Sequence, residues 1–202
     1  SIQSNGALTT FGDGFPALTG VGSGLSIQSN GALTTFGDGF SELATVGGYL
    51  NLYNNNSLET FGAGFPALTH IETYLAIWRN DALLEARFPA LETIGGNLSI
   101  GGHRSSDYNN DALRHIGFPA LTSIRGGENG NCRTDGYPRG CGVSAWSLDI
   151  SHNGNLPQCL VAYYANPDNV TLEFGISASP GNRGGCECAM VDGEMRATCP
   201  DD

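Results

Sequence analysis

The groups in this 202-residue chain that could do chemistry are four histidines, twenty acidic side chains and six cysteines. Acid–base, nucleophilic or metal chemistry needs such groups brought to one point. His70, His103, His115 and His152 fall at unrelated positions of the repeat described below, so no metal centre or triad is expected from them. Asp13 and Asp38 each lie in a Gly-Asp-Gly corner, where two stacked carboxylates could hold a calcium ion. The third copy has Ala63 at that position, and a solvated turn aspartate is the preferred reading. There is no phosphate loop and no nucleophile motif. The expectation is a protein that is not an enzyme and needs no cofactor or metal.

Contact chemistry is better represented. Tyr53 and Trp78 occupy outward positions of adjacent copies, which pairing would place about 4.8 Å apart. Tyr49 and Tyr74 form a second pair just before the same strands, with Arg79 nearby. Exposed aromatics on a flat sheet suit a protein contact or a sugar ring, and a cross-strand pair that only stabilises the sheet is the plainer alternative. Thr10, Thr35 and Thr60, with Thr9 and Thr34 beside them, make a short threonine face. Ice binding would need a longer one, and the column ends at Ala82-Leu83-Leu84.

The cysteines, 132, 141, 159, 186, 188 and 199, all lie in the last 71 residues. An even count in a loop-rich tail reads as disulfides and an oxidising compartment. Cys186 and Cys188 stand too close for the usual zinc spacing. Cys132 with Cys141 is the natural local pair, and the pairing of the other four stays open. Asn55, Asn97 and Asn169 begin N-glycosylation sequons. Asn169 is expected to be the first acceptor and Asn97 the second, because Asn55 falls in a repeat column where its side chain is engaged.

All of these residues are positioned by one phrase. Ser1 to Phe15 returns letter for letter as Ser26 to Phe40, 25 residues on, and degraded copies begin at Asn51, Ala76, Ser99 and Asp149. Stacking the copies produces apolar columns: Ile2, Ile27, Leu52, Ile77, Ile100, Ile150; then Leu8, Leu33, Leu58, Leu83, Leu113, Leu156; then Phe15, Phe40, Phe65, Phe88, Phe118. A single 25-residue copy cannot bury these side chains alone, but stacked copies bury each against its equivalents. One polar column accompanies them: Asn5, Asn30, Asn55, Asn80, Asn110, Asn153. Asn tolerates the left-handed backbone of a corner, and its amide can bond to the next amide in a ladder. Gly, Asn, Asp and Pro interrupt the apolar hits, which argues for short strands and turns without helix.

The fold expected is an all-β, right-handed parallel β-solenoid of about 25-residue coils over residues 1–176. Insertions fall near 103–109 and 125–145, Val170 to Phe174 forms a last strand, and a Cys-rich cap spans 177–202. The first copy has no visible cap. Residue 1 begins inside a repeat, so further copies are expected upstream. A net charge of −11 disfavours nucleic acid or an anionic membrane surface, and no apolar run is long enough to span a bilayer.

Leu25-Ser26-Ile27-Gln28-Ser29-Asn30, followed by Val46-Gly47-Gly48-Tyr49-Leu50, and the equivalents to Ile124 resemble the receptor L-domain family, relatives of leucine-rich repeats. The resemblance covers about residues 1–125 and 148–156. It implies a right-handed β-helix, extracellular placement and a non-catalytic role. The function expected first is a structural or assembly subunit of a fibre, cell surface or wall, self-associating head to tail. A receptor-like or adhesion module contacting protein or glycan through Tyr53 and Trp78 is the alternative, and an ice-binding solenoid the second alternative.

Overall fold

The computed structural model describes residues 1–62, 64–101, 109–125, 148–172 and 182–200. The chain is mostly β, with parallel sheets and little helix. Six strands form one sheet: β1 (Ile2–Gln3), β3 (Leu25–Gln28), β5 (Leu50–Tyr53), β7 (Leu75–Trp78), β10 (Leu98–Gly101) and β13 (Leu148–Ser151), neighbours in that order. Six more form a second: β2 (Gly20–Val21), β4 (Thr45–Val46), β6 (His70–Ile71), β9 (Thr93–Ile94), β12 (Ser123–Ile124) and β14 (Thr171–Leu172). Both sheets are parallel throughout, and the register follows the repeat: Ile2 faces Ile27, Ile27 faces Leu52, and Leu52 faces Ile77. Of the strand expected across 170–174, Thr171–Leu172 supplies the last rung, with Ser123 opposite Thr171, and 173–174 lie outside the described residues.

A third line runs between the sheets. Isolated bridges join Thr10 to Thr35 and Thr35 to Thr60. The shortened fourth copy loses its Gly-Asp-Gly corner and straightens into β8 (Glu85–Arg87), which pairs with β11 (His115–Gly117). The threonine line thus gives way to Glu85 and His115.

The core lies between these lines. Ile27, Leu52, Ile77, Ile100 and Ile150 are fully buried, as are Leu33, Leu58, Leu83, Leu113 and Leu156. Like side chains stack on like because the copies pair in register, even where the fourth copy is shortened and insertions follow. Phe40, Phe65 and Phe88 lie with centroids 5.4 and 5.5 Å apart and nearly parallel rings. Phe118 continues the column at 5.5 Å, and Tyr164 closes it edge-on at 5.6 Å. Fully burying such a side chain contributes about 1.5–3 kcal/mol, so the column is a principal source of stability.

The tail departs from the expectation of strands and turns alone. Gln158–Ala165 is an α-helix, α1, preceded by Pro157 at its N-cap position. Leu160, Val161 and Tyr164 are buried on the last copy, so tertiary burial offsets a short helix that would be marginal in isolation. An antiparallel hairpin, β15 (Glu187–Val191) and β16 (Glu194–Thr198), follows. Two disulfides tie it down: Cys159 of α1 to Cys188, and Cys186 to Cys199. These settle two pairings that spacing left open. The expected Cys132–Cys141 pair and most of both insertions lie outside the described residues.

Candidate functional site

The asparagine column forms a continuous ladder. Each Nδ2 donates to the Oδ1 of the next rung, at 3.1 Å from Asn5 to Asn30, 3.2 Å from Asn30 to Asn55, 3.3 Å from Asn55 to Asn80 and 3.1 Å from Asn110 to Asn153. From Asn30 onward each also donates to the carbonyl of the preceding apolar column, as Asn55 does to Ile27 at 3.0 Å. From Asn30 to Asn153 the rungs are fully buried, so these bonds satisfy the corner that the strands leave open. The expected left-handed backbone lies one residue earlier, at Ser4, Ser29, Asn54, Arg79 and His152, with φ of 52–58°. The asparagines serve as side-chain rungs. A seventh rung was not legible: Asn182 donates to Ile150 O at 2.8 Å and accepts from Asn153 N at 3.1 Å. Its offset from Ile150 is broken by intervening tail sequence. The signal that could have found it is an Asn just past the last copy.

The ladder engages one sequon asparagine, as its place in the repeat column predicts. Asn55 is fully buried and both its amide hydrogens are engaged, so a glycan on its Nδ2 would sacrifice them. Asn97 is half-buried. Asn169 is exposed, its Nδ2 donating to Tyr163 O at 2.9 Å.

The aromatic residues do come together. Tyr53 on β5 stands opposite Trp78 on β7. Alternation from the buried Leu50 and Leu52 turns Tyr49 and Tyr53 to the outer face, and Tyr74 and Trp78 follow the same rule on β7. Tyr49 and Tyr74 stack at 5.1 Å with 6° between the rings. Gly24 lies beneath: a Cβ there would stand 2.4 Å from the Tyr49 ring, so only glycine lets it lie flat. Arg79 donates from Nη1 to Tyr53 Oη at 3.3 Å, and Trp78 Nε1 donates to Ser99 Oγ at 3.0 Å. All five side chains are half-buried rather than freely exposed, because they pack on one another and on their strands. Arg79 also lies near Asp81, whose carboxyl is raised above the usual range by burial and by Asp111, against a lowering pull from Arg79.

The histidines are less isolated than their repeat positions suggest. His70 Nδ1 lies 2.5 Å from Thr93 Oγ1, its register partner, and Nε2 lies 3.0 Å from Glu72 Oε2. The order hydroxyl, imidazole, carboxylate is that of a hydrolytic triad. Here Glu72 is 63% exposed and His70 38%, so water competes for both bonds, and cross-strand pairing accounts for them. Asp13 and Asp38 are both exposed at their corners.

Glu194 is the buried charge that sequence reading missed. Only 6% of its side chain is exposed; it accepts from Arg87 Nη2 at 2.5 Å and lies 3.3 Å from His115 Nε2 and 3.5 Å from Arg196 Nη2. Gly117 makes room for it, since a Cβ there would stand 2.1 Å from Glu194 Oε1. The carboxylate therefore pins the hairpin to β8 and β11.

No family model, curated protein or solved structure matches the chain. Among the described residues, no helix is long and apolar enough to cross a membrane.

Proposed function

We propose that the chain is a non-catalytic extracellular module, a right-handed parallel β-solenoid related to receptor L domains, that holds a glycan against its aromatic row. The observation that carries this reading is the pre-ordered group of Tyr49, Tyr53, Tyr74, Trp78 and Arg79 on two adjacent strands. Rings already held by stacking and hydrogen bonds lose little freedom on binding. The Tyr53 and Trp78 rings suit the C–H faces of a sugar, and the Tyr hydroxyls and Arg79 supply polar groups alongside. A row two strands wide is narrow beside the roughly 800 Å² per partner of a standard protein interface, which favours a glycan over a protein. The two tail disulfides support an oxidising, extracellular location.

The test is a titration of neutral oligosaccharides followed by tryptophan fluorescence, with the double variant Tyr53→Ser, Trp78→Ser read by calorimetry. Saturable binding by the parent and its loss in a folded double variant is the expected result. Equal heats from both proteins would sink the glycan reading.

Assembly is the second reading, and one observation favours it. Ile2, Leu8, Phe11, Leu18 and Val21 are only partly covered, whereas Ile27, Leu33, Phe36, Leu43 and Val46 in the next copy are fully buried. Because Ser1 to Phe15 repeats as Ser26 to Phe40, the first copy presents the surface that the second buries, and a further copy of the phrase in this chain or another fits it. The other end is covered by Asn182, α1 and the hairpin, which ranks simple head-to-tail growth below the binding reading. Light scattering over a concentration series separates the two: growth in mass supports assembly, and a constant monomer mass rejects it.

A further inference from the structure

Asn97 stands where two rings of the aromatic row stand in the copies before it. Leu25 N donates to Tyr49 O at 2.7 Å, Leu50 N to Tyr74 O at 2.9 Å and Leu75 N to Asn97 O at 2.9 Å. Tyr49, Tyr74 and Asn97 are therefore successive members of one column. Each comes directly before the buried first leucine of its strand, Leu50, Leu75 or Leu98. Alternation turns all three side chains to the outer face. Asn97 also begins the sequon Asn97-Leu98-Ser99. An acceptor for N-linked sugar is thus the next rung after a stacked pair of tyrosines.

The sequon asparagines differ in what a glycan would displace. Asn55 has both amide hydrogens engaged in the buried ladder, and Asn169 Nδ2 donates to Tyr163 O at 2.9 Å. Among the described residues the half-buried Asn97 side chain makes no hydrogen bond, and its amide is not sealed from solvent. Ser99, whose hydroxyl completes the sequon, accepts from Trp78 Nε1 at 3.0 Å in the folded sheet, a bond that does not exist in the extended chain a transferase meets. The ring planes beside Asn97 are already set. Tyr49 and Tyr74 lie 5.1 Å apart and within 6° of parallel, close to the strand spacing of about 4.8 Å. A sugar rooted on the next rung continues that stack with a C–H face against the outer part of the Tyr74 ring. Tyr74 keeps its other contacts, and the sugar uses only the side of the ring toward Asn97.

We infer that Asn97 carries an N-linked glycan whose first sugar docks against Tyr74, so that one flank of the aromatic row holds the chain's own sugar. The inference rests on the reading above of an extracellular chain whose rings accept a sugar. In the modification, Asn97 Nδ2 bonds to the anomeric carbon of a polyprenyl-diphosphate-linked oligosaccharide. The bond from that carbon to the diphosphate oxygen breaks, its electron pair leaves on the diphosphate, and Nδ2 gives up one proton. A sugar attached one rung away is at high effective concentration, so a weak stacking contact suffices to dock it.

The experiment is secretion of the whole chain from a eukaryotic host, with mass spectrometry of the peptide that holds Asn97 and an endoglycosidase that trims every glycan to its first N-acetylglucosamine. Asn97 is expected to carry the sugar. The trimmed parent should melt about 2–4 °C above trimmed Asn97→Gln, the shift that a contact the size of an aromatic pair gives in a chain of this length. In a Tyr74→Ser background that difference should vanish, and in Tyr74→Phe, which keeps the ring, it should remain. Nuclear Overhauser contacts between the Tyr74 ring protons and the C–H protons of the sugar are expected in the trimmed parent, and they decide the matter should Tyr74→Ser not fold. An unmodified Asn97 in the secreted chain, an undiminished difference in folded Tyr74→Ser, or absence of ring–sugar contacts overturns the inference. None of these readouts uses an added sugar, so failure here is distinct from failure of the oligosaccharide titration read at Tyr53 and Trp78.

Discussion

Replacing Asn80 by Ala removes a central rung of the buried ladder. Asn80 Oδ1 accepts from Asn55 N at 3.1 Å and Asn55 Nδ2 at 3.3 Å, and its Nδ2 donates to Leu52 O at 3.0 Å. Alanine leaves all three groups without those partners in a place where Asn80 itself is fully buried. An orphaned buried polar group costs about 1–3 kcal/mol. The three are neighbours and can share relaxation, so the sum is about 3–6 kcal/mol. Against a total stability of about 5–15 kcal/mol this is a large fraction. The exposed Asn155, whose Nδ2 donates to Asp111 O at 2.8 Å, is the control. Its replacement by Ala should cost under about 1 kcal/mol. Urea unfolding of the three proteins, compared through their midpoints and slopes, measures both. An Asn80→Ala protein within about 1 kcal/mol of the parent would refute the reasoning that buried amide satisfaction holds the corner.

Two further outcomes are expected. Burial pushes the Tyr164 phenol up to about 12, opposed by the Phe118 N–H that donates to its Oη at 2.9 Å. The unfolded chain ionises this tyrosine near pH 10 while the folded chain keeps its proton. Stability is therefore full below about pH 10 and falls as pH rises through 12; Tyr164→Phe should flatten that decline in a pH series of thermal melts. Replacing Cys159 and Cys188 by Ser opens a link spanning 29 residues, with an expected loss of about 3–4 kcal/mol by chain entropy. Tryptic cleavage should then appear first in the hairpin, and cleavage beginning in the repeat would contradict the assignment of the hairpin as the tethered element.

Much of the architecture could be read in advance because the repeat carries its own test. Leu33, Phe40 and Asn30 each recur 25 residues on, at Leu58, Phe65 and Asn55, and in-register pairing of the copies buries every one of them. The aromatic pairs were legible for the same reason, since Tyr53 and Trp78 share one position of the phrase. Their degree of burial was not, because alternation tells which way a side chain starts and not what it leans on. Trp78 reaches across to Ser99, and Tyr49 lies over Gly24. His70 and Thr93 share one repeat column, directly before Ile71 and Ile94, but the shortened copy spaces them 23 residues apart and hides the pair.

What the sequence by itself determined is the stacking. Identical side chains at a constant interval are buried together only when each copy lies on the last, and short Gly- and Asn-rich links allow little else. What only the tertiary structure decided lies where the period stops. Helix α1 exists because Leu160, Val161 and Tyr164 find the end of the core, Asn182 becomes a rung because Ile150 leaves a carbonyl open, and Glu194 meets Arg87 across 107 residues. Each of these is a partnership between dissimilar residues with no fixed spacing. Burial and electrostatic satisfaction choose the partners after the chain has folded, and no periodicity in the sequence announces them.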